Sequence, residues 1–372
     1  MFHKISSDFN KRTYYIKLLF LNIRNRLINQ LISLIDNKSS FIYILTMIPR
    51  EKGLKDGIGR EVDYLRLSVT DRCNLNCIYC LPLKKVTLFK HDEILRFEEI
   101  ERVISIFAKL GVSKVRITGG EPLLRRNLIQ LLHMIKKIPG INNLSITTNG
   151  VLLEDIFNDL LHVGIDGINI SLDTLNKIKY KEITGFDYMP KVLRGIENVL
   201  ESGFNPLKIN VVIMGGINDE EVEDFVNLTK EEPIEVRFIE YMPMIKPERP
   251  IGFISAKSII SRINYPLDSV KTDDSNTAKL FEIPGFKGKI GFISPISHKF
   301  CSKCNRIRLT AGGLLRTCLI NNHSVDLKGP LRTGYPDSRI KGLIKKALSE
   351  KQGFYDLENL EHGNIMMSSI GG

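Results

Sequence analysis

At 372 residues, with 43% hydrophobic and 26% charged side chains, the chain has room for two or three domains and an ordinary core, which excludes a fibre or a disordered tail. Of the formal charge of +11, residues 1–50 hold eight Lys/Arg against two acids and so +6, which leaves +5 for everything that follows. That modest excess suits an anionic small molecule as well as nucleic acid, and no Lys/Arg run interleaved with aromatics favours the latter.

The chain opens on an acid-poor, Asn- and Ile-rich extension, residues 1–49, read either as an organellar presequence or as sequence ahead of a true start at Met47. Its longest unbroken apolar run, FIYILTMI, is eight residues, against about 20 for a membrane helix, so no membrane span is expected. The expected location is cytoplasmic, or the mitochondrial matrix if the extension is a presequence. From residue 62 a rhythm of short alternating segments and helical segments begins. The segments are VDYLRLSVT (62–70), KVRIT (114–118), LSITT (144–148), GINIS (167–171), LKINVVI (207–213) and IEVRFI (234–239). After the first of them, FEEIERVISIFAKLG sets Phe97, Ile100, Ile104, Phe107 and Leu110 on one helical face and stops at Gly111. Further amphipathic helices are predicted near 127–138, 153–163, 190–202 and 219–230.

Repeated strand–helix units imply parallel strands joined by right-handed crossovers. In a doubly wound sheet both faces are covered and strands read as continuous apolar runs. Here one face of every strand is polar: Arg66 and Ser68, Arg116 and Thr118, Thr147, Asn169 and Ser171, Lys208 and Asn210, Arg237. A polar inner face means a sheet curled around a polar ligand, and six units fall short of the eight of a complete barrel. The predicted fold is therefore α/β, a partial, open six-stranded parallel β/α barrel over residues 50–250. Residues 251–372, with a predicted helix near 337–350, lose the rhythm and are expected to close the open side.

The six cysteines fall into two triads, Cys73, Cys77, Cys80 and Cys301, Cys304, Cys318, with none left over. So tight a grouping in a large chain with no secretory signal reads as metal ligation rather than disulfides. Three thiols on a short loop ligate three irons of a four-iron cluster and leave the fourth open. Zinc stays an alternative at both triads, completed by His91 at the first and by His298 or His323 at the second.

The loop DRCNLNCIYC, with Tyr79 before the third cysteine, followed by TGGEP (118–122) at the end of the second strand, is similar to the signature of radical S-adenosylmethionine (SAM) enzymes. In such a turn glycine lets the backbone approach a ligand that a Cβ would strike. The second triad, the RIR within it and the terminal IGG resemble the GTP 3',8-cyclase family of molybdenum cofactor biosynthesis, and the likeness runs from about residue 57 to the end. It implies two [4Fe–4S] clusters: Cys73, Cys77 and Cys80 hold the one that SAM binds, beside Tyr79, Gly120, Ser171 and Met242, while Cys301, Cys304 and Cys318 hold one whose open iron binds guanine. Arg66, Arg116, Thr147, Lys208, Arg306 and Arg308 match the family's GTP contacts, and Gly371 and Gly372 its active-site tail. The implied reaction cleaves SAM to a 5'-deoxyadenosyl radical, removes hydrogen from the ribose C3' of GTP and joins C3' to C8. A reducing electron donor, cyclic pyranopterin monophosphate synthase downstream and a homodimer come with the resemblance; nucleic acid and membrane do not. The rivals are a peptide-modifying radical SAM enzyme, which usually has more C-terminal cysteines, and a zinc-bearing basic RNA-binding protein.

Overall fold

The computed structural model describes residues 53–80, 88–245, 247, 250–273, 275–321 and 323–353. The extension and the terminal glycines Gly371 and Gly372 lie outside the described residues. Every predicted strand forms: β1 (Tyr64–Ser68), β2 (Lys114–Thr118), β3 (Asn143–Thr148), β4 (Gly167–Ser171), β5 (Leu207–Ile213) and β6 (Ile234–Glu240). Between them run α1 (Phe97–Lys109), α2 (Leu128–Lys136), α3 (Leu153–Val163), α4 (Lys177–Thr184) and α5 (Met189–Glu201), and α6 (Val222–Glu231) lies between β5 and β6. In α1 the predicted apolar face is the buried one, including Ile100, Ile104 and Phe107. Glu99 accepts the backbone N–H of Arg96 at 2.7 Å, satisfying one of the donors left over at a helix start.

Strands β1 to β6 are neighbours in chain order and all parallel. An order that never reverses keeps the crossovers on one face, whereas a doubly wound sheet reverses at a switch point. Apolar residues such as Leu65, Val115, Leu144, Ile168, Ile209 and Val236 point under the helices and are buried. The polar alternates face the other way, as the period of two requires.

The later residues form α7 (Ala256–Ile260), β7 (Asp268–Val270), β8 (Lys279–Glu282), β9 (Lys289–Ile293), β10 (Arg306–Leu309), β11 (Leu314–Arg316), β12 (Ser324–Asp326), α8 (Lys328–Arg332) and α9 (Asp337–Ser349). This segment extends the sheet rather than closing its open side as expected. It lengthens the sheet at both edges, to the order β12-β11-β10-β1-β2-β3-β4-β5-β6-β9-β8-β7, with β10 parallel to β1 and β9 parallel to β6. The six-stranded partial barrel therefore sits inside a wider sheet that remains open. The two extra parallel strands escape a rhythm search because the second cysteine group, rather than a helix, separates them. Buried Glu240 ties the segment down, accepting N–H groups from Ala256 at 2.8 Å, Ile296 at 3.0 Å and Ser297 at 2.9 Å.

Candidate active site

A cavity of about 830 Å³ runs along the polar face of the sheet, from the first residues of β1, β2 and β3 (Tyr64, Lys114 and Asn143) to the loops at their C-terminal ends. All six cysteines line it, as do Tyr79, Gly120, Ser171 and Met242 and the cationic positions predicted from sequence. Of the polar strand residues only Ser68 stays out of its wall; its hydroxyl donates to the Thr70 carbonyl at 3.1 Å. None of the six thiols is in a disulfide.

The first triad follows β1 on a loop held by α4, a helix that sequence periodicity does not reveal. Asn176 starts α4 by accepting the N–H groups of Ile178 at 2.9 Å and Lys179 at 3.1 Å, and Gly185 ends it at φ 81°. The carbonyls of its last turn then receive the loop: Asn76 N–H donates to Thr184 at 2.9 Å and Ile78 N–H to Ile183 at 3.0 Å. Asn149 Nδ2 reaches Asn74 Oδ1 at 2.8 Å and lies 3.8 Å from Cys73 Sγ. The Tyr79 hydroxyl donates to Asp173 at 2.6 Å, and Asp173 accepts the Val212 N–H at 2.8 Å. Burial pushes the Asp173 carboxyl up to about 6 against those two hydrogen bonds.

The Gly-Gly turn after β2 lies directly on this loop. A Cβ on Gly120 would sit 2.2 Å from the Arg72 carbonyl oxygen, and one on Gly119 would sit 2.6 Å from that of Thr70. Glycine is thus required here by the close approach to the chain's own cysteine loop, and both glycines also line the cavity. Glu121, 1% exposed, then joins the turn to β3 by accepting Thr148 Oγ1 at 2.8 Å and the N–H groups of Asn149 at 2.7 Å and Leu123 at 3.0 Å. Burial raises its carboxyl to about 7.

The sheet register assembles the cationic wall. Arg308 on β10, Arg66 on β1 and Arg116 on β2 are direct cross-strand neighbours, a row of like charges whose mutual repulsion an anion in the cavity would relieve. Burial first, and the Arg308 guanidinium second, push Arg66 down to about 9. Arg306, beside Tyr64 in the same ladder, donates to the Ser275 carbonyl at 2.7 Å. Lys208 and Arg237 share Glu235, the lysine at 3.1 Å. Arg116 Nε, Thr147 Oγ1 and Arg308 Nε are buried with no hydrogen-bond partner, a debt that a polar ligand in the cavity would discharge.

The second triad faces the same cavity from the loop before β10 and the turn after β11. Among the described residues no histidine lines the cavity. His91 and His298 are exposed, and His323 turns to Glu350 at 3.4 Å. Among the described residues no three His, Cys, Asp or Glu side chains are gathered as a single metal ion would need. Two incomplete thiol sets beside an anion-seeking wall suit clusters with an open iron. Sequence reasoning missed Tyr64, Glu121, Asn149 and Asp173 as site residues; Glu121 lay within TGGEP, the one available signal.

Parallel strands joined through helices, a three-thiol loop after β1 and a glycine turn after β2 define a radical SAM protein. The Radical SAM superfamily model matches residues 67–229, and the Molybdenum Cofactor Synthesis C model matches residues 234–357. In three dimensions the chain is similar to Streptococcus suis SuiB bound to S-adenosylmethionine, at a TM-score of 0.52 and 17% identity, over 76% of this chain and 68% of that one. The chain belongs to the GTP 3',8-cyclase family. It is 43% identical to the GTP 3',8-cyclase of Peptoclostridium acidaminophilum, over 86% of this chain and 98% of the relative. The Moorella thermoacetica protein of that name is 42% identical over 86% and 100%, and the Clostridium botulinum (strain Langeland) protein 48% over 73% and 86%.

Proposed function

We propose that this chain cyclises GTP to (8S)-3',8-cyclo-7,8-dihydroguanosine 5'-triphosphate, the first step of molybdenum cofactor biosynthesis. The observation that carries the reading is the row Arg308, Arg66, Arg116 across three adjacent parallel strands, in one cavity with both cysteine triads. A triphosphate answers that row, since guanidinium forks pair with phosphate oxygens through charge-assisted hydrogen bonds. When bound, SAM and the cluster at Cys73, Cys77 and Cys80 supply a 5'-deoxyadenosyl radical, and the cluster at Cys301, Cys304 and Cys318 offers an open iron to guanine.

The chain's own part is placement and exclusion. Arg66, Arg116, Arg306 and Arg308, with Lys208 and Thr147, bind the polyanionic end of the substrate and so lower the orientational cost of the later step. Tyr79, fixed by Asp173, lines the SAM side with Gly120, Ser171 and Met242. The walls contributed by Thr272, Ser275, Thr277, Phe300, Leu319 and Ile320 shield the centre from water, which limits side reactions. Gly371 and Gly372 are assigned to substrate alignment on the family resemblance. A strongly reducing donor feeds the reaction, and cyclic pyranopterin monophosphate synthase takes the product.

The test is a comparison of GTP with guanosine in anaerobically reconstituted full-length protein supplied with SAM and dithionite. Cyclisation should require the triphosphate. Equal cyclisation of guanosine, or none of GTP by protein with its full iron content, would overturn the reading.

A further inference from the structure

Beside the second triad, and outside the cavity lining, lies a buried charge cluster that takes no part in the proposed reaction. Lys351, just beyond α9, is 3% exposed. Its Nζ donates to the Arg306 carbonyl at 2.9 Å and stands 3.5 Å from the Cys304 carbonyl and 4.0 Å from Cys304 Sγ. Asp56 Oδ2 lies 3.9 Å from Nζ and accepts Arg60 Nε at 2.6 Å. Arg60 in turn donates to the Cys301 carbonyl and to that of Gln352 at 3.1 Å. Three stretches far apart in sequence thus meet on the back of one thiol loop.

A lysine is almost never this buried unless it is paired, and Asp56, already paired with Arg60, leaves the trio one positive charge in excess. The groups facing the ammonium are Asp56, Arg60, Cys304 and Cys318. We propose that Lys351 is a positioning residue of the second cluster: its ammonium fixes the Cys304–Arg306 turn, and its charge beside the Cys304 thiolate raises that cluster's reduction potential. The inference rests on the reading that the second triad holds a [4Fe–4S] cluster. Hydrogen bonds and net charge at the ligand sulfurs are among the features that set such potentials.

The experiment is an EPR-monitored redox titration of the anaerobically reconstituted full chain, wild type against Lys351→Met, Lys351→Gln and Lys351→Arg. Lys351→Met should shift the reduction equilibrium of the second cluster about tenfold toward the oxidised form, about 59 mV downward for one electron, and leave the first cluster where it was. Lys351→Gln, which keeps N–H donors for the turn, guards against loss of fold and should move the potential the same way, while Lys351→Arg should restore most of it. Variants with about eight irons and an unshifted second potential would overturn the inference. About four irons in the wild type itself would instead overturn the two-cluster reading on which it rests.

Discussion

The two triads share one cavity and the same incomplete ligand count, yet their surroundings have opposite character. At the first, burial pushes the Cys73 and Cys77 thiols up, and carboxylates reinforce it, Glu121 at Cys73 and Asp173 at Cys77; the neutral amide of Asn149 lies 3.8 Å from Cys73 Sγ. At the second, burial also lifts Cys301, but Cys304 falls under Lys351 and Arg306, and the arginine row begins on β10, the strand that follows Cys304. A centre that must hand an electron to SAM gains from surroundings that disfavour the reduced, more negative state. A centre that faces a polyanionic nucleotide gains from cations. One fold supplies both because the first triad follows a strand inside the barrel, and the second flanks the strands β10 and β11 that extend its edge.

The contrast breaks most visibly when either triad is removed. With Cys73, Cys77 and Cys80 changed to alanine, iron should fall from about eight to about four per chain and SAM cleavage should vanish. With Cys301, Cys304 and Cys318 changed, iron should fall equally while SAM cleavage persists and cyclisation stops. Iron and sulfide counts with 5'-deoxyadenosine quantified by chromatography decide it; stoichiometric zinc at the second triad would refute the assignment.

A smaller effect comes from thinning the arginine row. Arg66→Ala and Arg308→Ala should each weaken GTP binding by about 1.5–3 kcal/mol, the worth of a hydrogen bond to a charged group, with SAM cleavage spared. Equilibrium binding at two salt concentrations checks this, because the wild type should be the more salt-sensitive. Unchanged GTP affinity in both variants would remove the triphosphate from that wall.

Gly120→Ala should act at the other end of the cavity. Its Cβ would meet the Arg72 carbonyl at 2.2 Å, so the cysteine loop must shift, at about 1–3 kcal/mol of stability. The first cluster should be lost faster to a chelator than the second, and the decay of visible absorbance would show it. Equal loss at both would mean that the glycine turn and the thiol loop are not coupled.

The mildest effect is on pH. Glu121 and Asp173 have folded values raised to about 7 and about 6, above an unfolded value near 4. In the cluster-free protein their contribution is therefore fully present below about pH 4, declines as pH rises, and is lost above about pH 7. Thermal unfolding from pH 5 to 8 should show falling stability, with a shallower slope in Glu121→Gln; the same slope in both would contradict this account of Glu121.

The strands and most helices of residues 62–240 were legible because each buries one face against a fixed period. Every described site residue inferred from sequence also lines the cavity. Three features were not legible, and each depends on partners distant in sequence. Helix α4 has too little apolar periodicity to stand out and is fixed by Asn176, Gly185 and the thiol loop it receives. Strands β9 and β10 have no helix between them. Lys351 reads as one more charge after a basic helix until Asp56 and Arg60, almost 300 residues earlier, close over it. The register that stacks Arg308 beside Arg66 is likewise a property of the sheet, since the two residues lie on strands at opposite ends of the chain.

The central claim, that both triads and the arginine row serve one radical step on GTP, is tested most directly by isotope transfer. GTP deuterated at the ribose C3' is given to the reconstituted full chain with SAM and reductant, and the 5'-deoxyadenosine formed is analysed by mass spectrometry. The account predicts one deuterium in 5'-deoxyadenosine for each molecule cyclised; unlabelled 5'-deoxyadenosine alongside efficient product formation would contradict it.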